Sequence, residues 1–205
     1  MKTILCYGDS NTWGYCPQTK QRFDEKTRWT GVLHKTLSNE YRIIEEGLNG
    51  RTTIHNENDR PFRSGLELLP VLMESHAPID LVIIMLGTND LKKKFNSSIE
   101  EITKNIRALC QHIQSCAYNR QVKTLLISPT HICEMKDEDA NEFEGAIEKS
   151  HQFADHYQEV AIDLDMFFCN AAEIVETSKH DGIHWDADQH RLFAQYMKDQ
   201  IRLIL

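Results

Sequence analysis

The chain of 205 residues predicts an α/β protein of three layers, a parallel sheet with helices on both faces, on two observations. Short apolar runs alternate with longer stretches of helical period along its whole length. The segments that follow the apolar runs are long and polar, whereas those leading back into them are mostly short. Alternation of this kind needs crossover helices, and crossovers lay parallel strands side by side with both faces covered.

The first strand is expected over 3–7, Thr3-Ile4-Leu5-Cys6-Tyr7, where Gly8-Asp9 cuts the apolar run short. A helix over 29–37 leads to a second strand over 41–45, and a helix over 64–74 leads to a third strand over 81–86. The next helix, 99–116, has Ile99, Ile102, Ile106, Leu109 and Ile113 at three- and four-residue steps, which gives it one apolar face. A fourth strand over 124–128, a helix over 141–156, a fifth strand over 160–163 and a last helix over about 187–205 complete the order. No repeat, low-complexity tract or linker divides the chain, so 1–205 reads as one domain. The long loops 8–28, 46–63, 87–98 and 129–140 all leave the carboxyl ends of strands. The connections 38–40 and 75–80 return to strands, so ligands are expected on the carboxyl edge.

Composition narrows the partners. Hydrophobic residues make up 40% and charged residues 26%, as in ordinary globular proteins. A net charge of -8 repels phosphate backbones, and the longest basic run is Lys92-Lys93-Lys94, so no nucleic acid is expected. The longest aliphatic run, 81–86, is far below the ~20 residues of a membrane span, and the amino terminus offers no signal core. A cytoplasmic location follows as an expectation. Six cysteines, Cys6, Cys16, Cys110, Cys116, Cys133 and Cys169, form no C-x-x-C pair and read as reduced thiols. No metal is expected. No cofactor is expected either, since no G-x-G-x-x-G or Walker-type loop occurs.

Four segments on the carboxyl edge carry chemistry: Gly8-Asp9-Ser10-Asn11, Gly47-Leu48-Asn49-Gly50, Gly87-Thr88-Asn89-Asp90 and Asp181-Gly182-Ile183-His184. Ser10 alone reads equally as a helix cap or a serine turn. A nucleophilic serine needs a base within reach and a group that orients the base. The last segment offers both, because Gly182 lets the Asp181 carboxylate return to the His184 imidazole while the other ring nitrogen takes the Ser10 proton. Asp186 is better placed than Asp181 to cap the final helix, and His180 adjoins Asp181 too closely to share a hydrogen bond with it. Asn89 follows the third strand directly, so its carboxamide, with the backbone N–H of Ser10 and of a glycine, could hold an oxyanion. Gly47 and Gly50 both follow the second strand, and position leaves the choice between them open. Asn11, Trp13, Thr88, Lys92, Phe143 and Ile183 are the expected substrate contacts, with Tyr15 and Trp185 as further aromatic walls. Arg51 and Lys92 could meet an anionic substrate, but the plainer reading of solvated surface charge is favoured for both.

These motifs resemble the SGNH hydrolases, the GDSL esterase superfamily, and within it the bacterial arylesterase and acyltransferase branch. The runs Ile4-Leu5-Cys6-Tyr7-Gly8-Asp9-Ser10, Thr12-Trp13-Gly14, Arg28-Trp29-Thr30-Gly31-Val32-Leu33, Glu45-Glu46-Gly47-Leu48, Arg51-Thr52-Thr53 and Asp181-Gly182-Ile183-His184 carry the likeness, with 80–90. It is weakest over 133–179. The resemblance implies a flavodoxin-like five-stranded parallel sheet, Ser10 as nucleophile, Asn89 as oxyanion donor and His184 oriented by Asp181. It selects Gly50 over Gly47, because the family pattern puts its donor five residues after the position of Glu45. Asn11 stands where the family usually has Leu, which alters the expected acyl pocket, and Glu45 stands where Asn is common. Implied with it are a small ester as substrate, hydrolysis with acyl transfer to alcohols, and a homo-oligomer. Deacetylation of carbohydrates, or a non-catalytic flavodoxin-like binding module, are the alternatives.

Overall fold

The computed structural model describes residues 1–116, 121–135 and 137–205. Among them, five parallel strands form a sheet: β1 (Lys2–Gly8), β2 (Tyr41–Gly47), β3 (Leu81–Met85), β4 (Lys123–Ser128) and β5 (Phe167–Asn170), in the order β2-β1-β3-β4-β5. The helices are α1 (Ser10–Trp13), α2 (Trp29–Leu37), α3 (Gly65–His76), α4 (Ile99–Ser115), α5 (Asp137–Glu142), α6 (Ala146–Ser150), α7 (Phe153–Asp163) and α8 (Ala187–Ile204).

Strand side chains alternate between two cores. Ile4, Cys6, Ile83, Met85 and Ile127 pack with Trp29 and Leu33 of α2 and with Phe193 and Met197 of α8. Leu5, Tyr7, Val82, Ile84 and Leu126 pack on the other face with α3, α4 and α7. Each such side chain taken fully out of water stabilises the fold by about 1.5–3 kcal/mol. Because β1 and β3 lie inside the sheet and are apolar on both faces, the loops at their carboxyl ends are held on a rigid base. The expected apolar face of 99–116 is the buried face of α4, whose amino terminus is closed by a capping box between Ser98 and Glu101. Among the described residues, no helix is long and apolar enough to cross a membrane.

Two expectations about local structure are corrected. Residues 160–163, expected as the fifth strand, are the last turn of α7, because Phe153, Tyr157, Val160 and Ala161 are buried at helical spacing while Ile162 is 71% exposed. A strand there would have buried Val160 and Ile162 together. The fifth strand is β5, a short edge strand made of the run Phe167-Phe168-Cys169-Asn170. The single helix expected over 141–156 is broken into α5, α6 and α7, with the chain turning at Gly145 (φ +76°). The loop expected over 129–140 crosses Lys136, which lies outside the described residues.

Candidate active site

Strand order reverses between β1 and β3, so the crevice beyond their carboxyl ends is the place where an open parallel sheet holds a ligand. Ser10 follows β1 and Asn89 follows β3, one on each side of this crevice, while Gly50 follows the neighbouring β2. Ser10 begins α1, a single helical turn whose cap is Asp9, with Asn11 N–H donating to Asp9 Oδ1 at 3.0 Å.

The carboxyl-terminal segment reaches the same place as a loop tied down by backbone hydrogen bonds. Ser178 N–H donates to His184 C=O (2.7 Å), Gly182 N–H to Ser178 C=O (2.8 Å) and Cys133 N–H to Gly182 C=O (2.9 Å). Asn11 adds a bridge from the serine turn. Its Nδ2 donates to Ile183 C=O at 3.3 Å and its Oδ1 accepts from Trp185 N–H at 3.2 Å, so one amide grips the chain on both sides of His184.

Within this frame His184 Nε2 lies 2.8 Å from Ser10 Oγ, and His184 Nδ1 lies 2.7 Å from Asp181 Oδ2. A carboxylate only accepts, so Nδ1 carries the ring proton, and Nε2 is left as an acceptor for the serine hydroxyl. Asp181 Oδ1 also accepts from Ile183 N–H (3.0 Å) and His184 N–H (2.9 Å). Burial opposes the charge on Asp181. The hydrogen bond and charge of His184 and the two N–H groups outweigh it, and its pKa lies below the usual carboxylate value. The Tyr15 ring stands 4.2 Å from the imidazole, centroid to centroid, and restrains its rotation.

Ser10, Gly50 and Asn89, the residues expected to supply N–H donors, line one cavity together with His184. Among the described residues the backbone N–H groups of Ser10 and Gly50 have no intrachain acceptor. Gly50 sits at the third position of a turn closed by Arg51 N–H to Leu48 C=O (3.0 Å), and its φ of +79° is the value that position takes in a type II turn. Asn89 Nδ2 donates one hydrogen to Arg51 C=O at 3.1 Å, which orients the carboxamide and leaves its second hydrogen unused. Gly47 serves packing instead. A Cβ there would lie 2.1 Å from Trp13 N, so this glycine lets β2 pack against the serine turn.

A cavity of about 200 Å³ opens over Ser10 and His184. Tyr15, Phe143 and Ile183 supply apolar wall, and Asn49, Arg60, Lys92 and Glu142 supply polar wall. Lys92, Phe143 and Ile183 were expected there; Asn49, Arg60 and Glu142 were not, since they come from loops whose paths sequence spacing does not fix. Asn11, Trp13 and Thr88 are corrected, because none lines the cavity. Asn11 is buried with both ends of its amide engaged by the His184 loop, Thr88 is buried in the helical turn before Asn89, and Trp13 faces the Arg22 guanidinium (5.4 Å). Trp185 is also a core residue, fully buried with its Nε1–H on Thr130 Oγ1 (3.0 Å). His180 is exposed. Asp186 occupies the cap position of α8 without bonding a helix N–H, its Oδ1 accepting instead from Ser178 Oγ (3.0 Å) and Gln18 Nε2.

Neither cation named from the sequence is free. Arg51 is buried, its Nη1 donates to Gly8 C=O (2.9 Å) and Glu46 C=O, and its guanidinium lies 4.1 Å from the Tyr7 ring. Lys92 Nζ is shared between Glu57 Oε1 and Glu142 Oε1, each at 3.1 Å. Two buried carboxyls underlie the site. Burial pushes Asp9 up to about 6 and Asp90 up to about 7, with hydrogen bonds opposing the rise in each case. Asp90 accepts from Thr53 N–H and Thr53 Oγ1–H, joining the Asn89 turn to the loop after β2. Among the described residues, no group of His, Cys, Asp and Glu is arranged to hold a metal ion.

A doubly wound sheet with a serine, histidine and aspartate in line at its switch point is the architecture of an acyl hydrolase. Residues 6–192 match the GDSL-like lipase/acylhydrolase family; the chain belongs to it and is a carboxylic ester hydrolase. It is similar over 100% of both chains to a carbohydrate acetylesterase from Sinorhizobium meliloti (32% identity, TM-score 0.96) and to the aryl esterase of M. smegmatis (34% identity, TM-score 0.95). A lipase/acylhydrolase from Enterococcus faecalis, 19% identical over 98% of this chain and 95% of its own, shares the fold (TM-score 0.70). A search of curated proteins finds no match.

Proposed function

We propose that the protein hydrolyses small, short-acyl esters through an acyl-Ser10 intermediate, and that the Asp181–His184–Ser10 line of two hydrogen bonds, 2.7 and 2.8 Å, carries this reading. Ser10 Oγ attacks the ester carbonyl as its proton passes to His184 Nε2. The oxyanion takes hydrogen bonds from Ser10 N–H, Gly50 N–H and Asn89 Nδ2–H, each such donor contributing on the order of 3 kcal/mol in related chemistry. Collapse breaks the C–O bond, and His184 returns the proton to the leaving alcohol. Water, deprotonated by the same nitrogen, then attacks the acyl carbon; the acid leaves as its bond to Ser10 Oγ breaks and His184 returns the proton to Oγ, and an alcohol in place of water gives a new ester. A cavity of about 200 Å³ favours a short acyl chain.

A second reading, removal of acetyl groups from carbohydrates, is favoured by one observation: one side of the cavity is polar, with Asn49, Arg60, Lys92 and Glu142. Such a wall suits a hydroxylated alcohol moiety better than a hydrocarbon one. Self-association belongs to the same proposal, since Leu192, Tyr196 and Leu203 are exposed at helical spacing on one side of α8. Light scattering tests it, and a monomer at working concentration opposes it.

Release of p-nitrophenol from p-nitrophenyl acetate tests the catalytic reading. The parent turns over and Ser10→Ala loses at least about a thousandfold in kcat. Equal rates in the two proteins refute Ser10 as the nucleophile. Acetylated sugars against aryl acetates, compared by kcat/KM, separate the two substrate readings.

A further inference from the structure

Of the Lys, Arg, Asp and Glu side chains that line the cavity, Arg60, Lys92 and Glu142, Arg60 alone lacks an ion pair among the described residues. Both lysines near the cavity are neutralised: Lys92 by Glu57 and Glu142, and Lys94 by Glu57 Oε2 at 2.8 Å with Glu142 Oε1 at 3.8 Å. Arg51 is enclosed under the serine turn and committed to backbone carbonyls. Arg60, which lines the cavity with Ser10 and His184, has no ion pair among the described residues.

Arg60 is nevertheless held in place. Its Nη2 donates to Asn49 C=O at 2.9 Å, and its backbone N–H is bonded to Glu57 C=O at 3.2 Å. The guanidinium lies against Gly50, where a Cβ would stand 2.9 Å from Nη1. It is therefore fixed beside the turn that presents the Gly50 N–H. A guanidinium has five N–H donors in a planar fork, and the contact to Asn49 uses one nitrogen only. A carboxylate fits that fork with two parallel hydrogen bonds. The apolar wall of Tyr15, Phe143 and Ile183 can take an aromatic or aliphatic body.

We propose that Arg60 is a specificity-determining residue that selects small esters bearing a carboxylate, bound by its guanidinium at the cavity wall beside the Gly50 turn. The proposal rests on the esterase reading above and adds the chemical class of its substrate. No bond changes at Arg60; it acts by binding and orienting. Its preference is set by charge, so it weakens as salt rises, because the residue is only half-buried.

The test is a ratio of kcat/KM values for isosteric esters, one charged and one neutral. para-Acetoxybenzoate against para-acetoxybenzamide puts the carboxylate on the alcohol side; monomethyl succinate against methyl succinamate puts it on the acyl side. In the parent, the carboxylate member of one pair is preferred. Arg60→Gln lowers that charged-to-neutral ratio by about tenfold or more, as loss of a hydrogen bond to a charged group requires, and Arg60→Lys restores part of it. The pair that responds identifies the side. An unchanged ratio for both pairs overturns the proposal, as does an equal fall for charged and neutral members, which would mean that Arg60 only supports the Gly50 turn. Turnover of p-nitrophenyl acetate by the parent separates the two levels. Ser10-dependent turnover with unchanged ratios defeats the anion site alone, whereas no Ser10-dependent turnover defeats the reading beneath it and the proposal together.

Discussion

Replacing Asp181 by Asn separates the two roles that this carboxylate performs. Oδ1 holds the loop by accepting from Ile183 N–H and His184 N–H at 3.0 and 2.9 Å, while among the described residues Oδ2 meets only His184 Nδ1, at 2.7 Å. An Asn can keep its carbonyl oxygen at the Oδ1 position, so both backbone bonds survive and the loop keeps its path. Its NH2 group then occupies the Oδ2 position, where it must donate. A donor cannot face the protonated Nδ1, so the imidazole shifts its proton to Nε2 and presents N–H, not a lone pair, to Ser10 Oγ. The equivalent wrong-tautomer change in a serine protease lowers kcat by about 10,000-fold, about 5.5 kcal/mol of barrier. We expect a loss of that order in kcat for p-nitrophenyl acetate at neutral pH, with a melting temperature within a few degrees of the parent. Asp181→Ala removes all three bonds and lowers both activity and melting temperature. A loss below about tenfold in a well-folded Asp181→Asn protein would show that His184 does not depend on this carboxylate for its tautomer, and the reasoning would fail.

Other predictions follow from the same contacts. Asn11→Leu restores the residue usual in the resembling family but leaves Ile183 C=O and Trp185 N–H without partners, at about 1–3 kcal/mol each. Steady-state kinetics should show kcat falling more than KM rises, and unchanged kcat would remove Asn11 from the positioning of His184. Gly47→Ala sets a Cβ against Trp13 backbone and should fail to fold or lose several kcal/mol in denaturant titration. Gly50→Ala meets side-chain atoms of Arg60 rather than backbone and adds strain of about 1–2 kcal/mol, so it should fold with reduced kcat. Comparable stability in the two variants would refute the division of roles. Asp90 is raised from an ordinary 3.8 to about 7, so its favourable contribution is complete below about pH 4 and lost as pH rises through about 7. Asp90→Asn should therefore gain on the parent as pH rises, by up to about 4 kcal/mol, in urea unfolding at acid and alkaline pH; an identical pH slope in both proteins would contradict the assigned shift.

Much of the fold was legible because its signals are local. The apolar runs of β1, β3 and β4 sit in the middle of the sheet, and their two-sided burial wrote continuous hydrophobic stretches into the sequence. The fifth strand was misplaced because an edge strand needs little apolar surface: Phe167 is 44% exposed, and the four-residue strand gives a weaker pattern than the end of α7 beside it. The hydrogen-bonded line through Ser10, His184 and Asp181 joins residues named from spacing, since Asp181 and His184 are three apart and the loops of a parallel sheet converge on one edge. The substrate wall was harder to read. Arg60, Asn49 and Glu142 enter the cavity through long loops, where no periodicity says which side chains turn inward. Arg51 illustrates the opposite error, because a charge next to a motif glycine reads as solvated surface charge or as an anion contact, when it is buried and bonded to Gly8 and Glu46 carbonyls.

The position of Asn11 explains how so dispersed a site stays assembled. Ser10 and His184 are 174 residues apart, and their hydrogen bond is useful only if the loop carrying His184 is fixed against the serine turn to within a few tenths of an ångström. Apolar packing alone sets distances less sharply than hydrogen bonds do, and the loop over 178–184 has few apolar side chains to pack. Its rigidity comes from backbone groups: the bonds from Ser178, Gly182 and Cys133, the two N–H groups on Asp181, and the two ends of the Asn11 amide. A leucine at position 11 could only fill space there. The asparagine ties the residues immediately before and after His184 to the residue immediately after Ser10, so any motion of the base relative to the nucleophile must break buried polar contacts first.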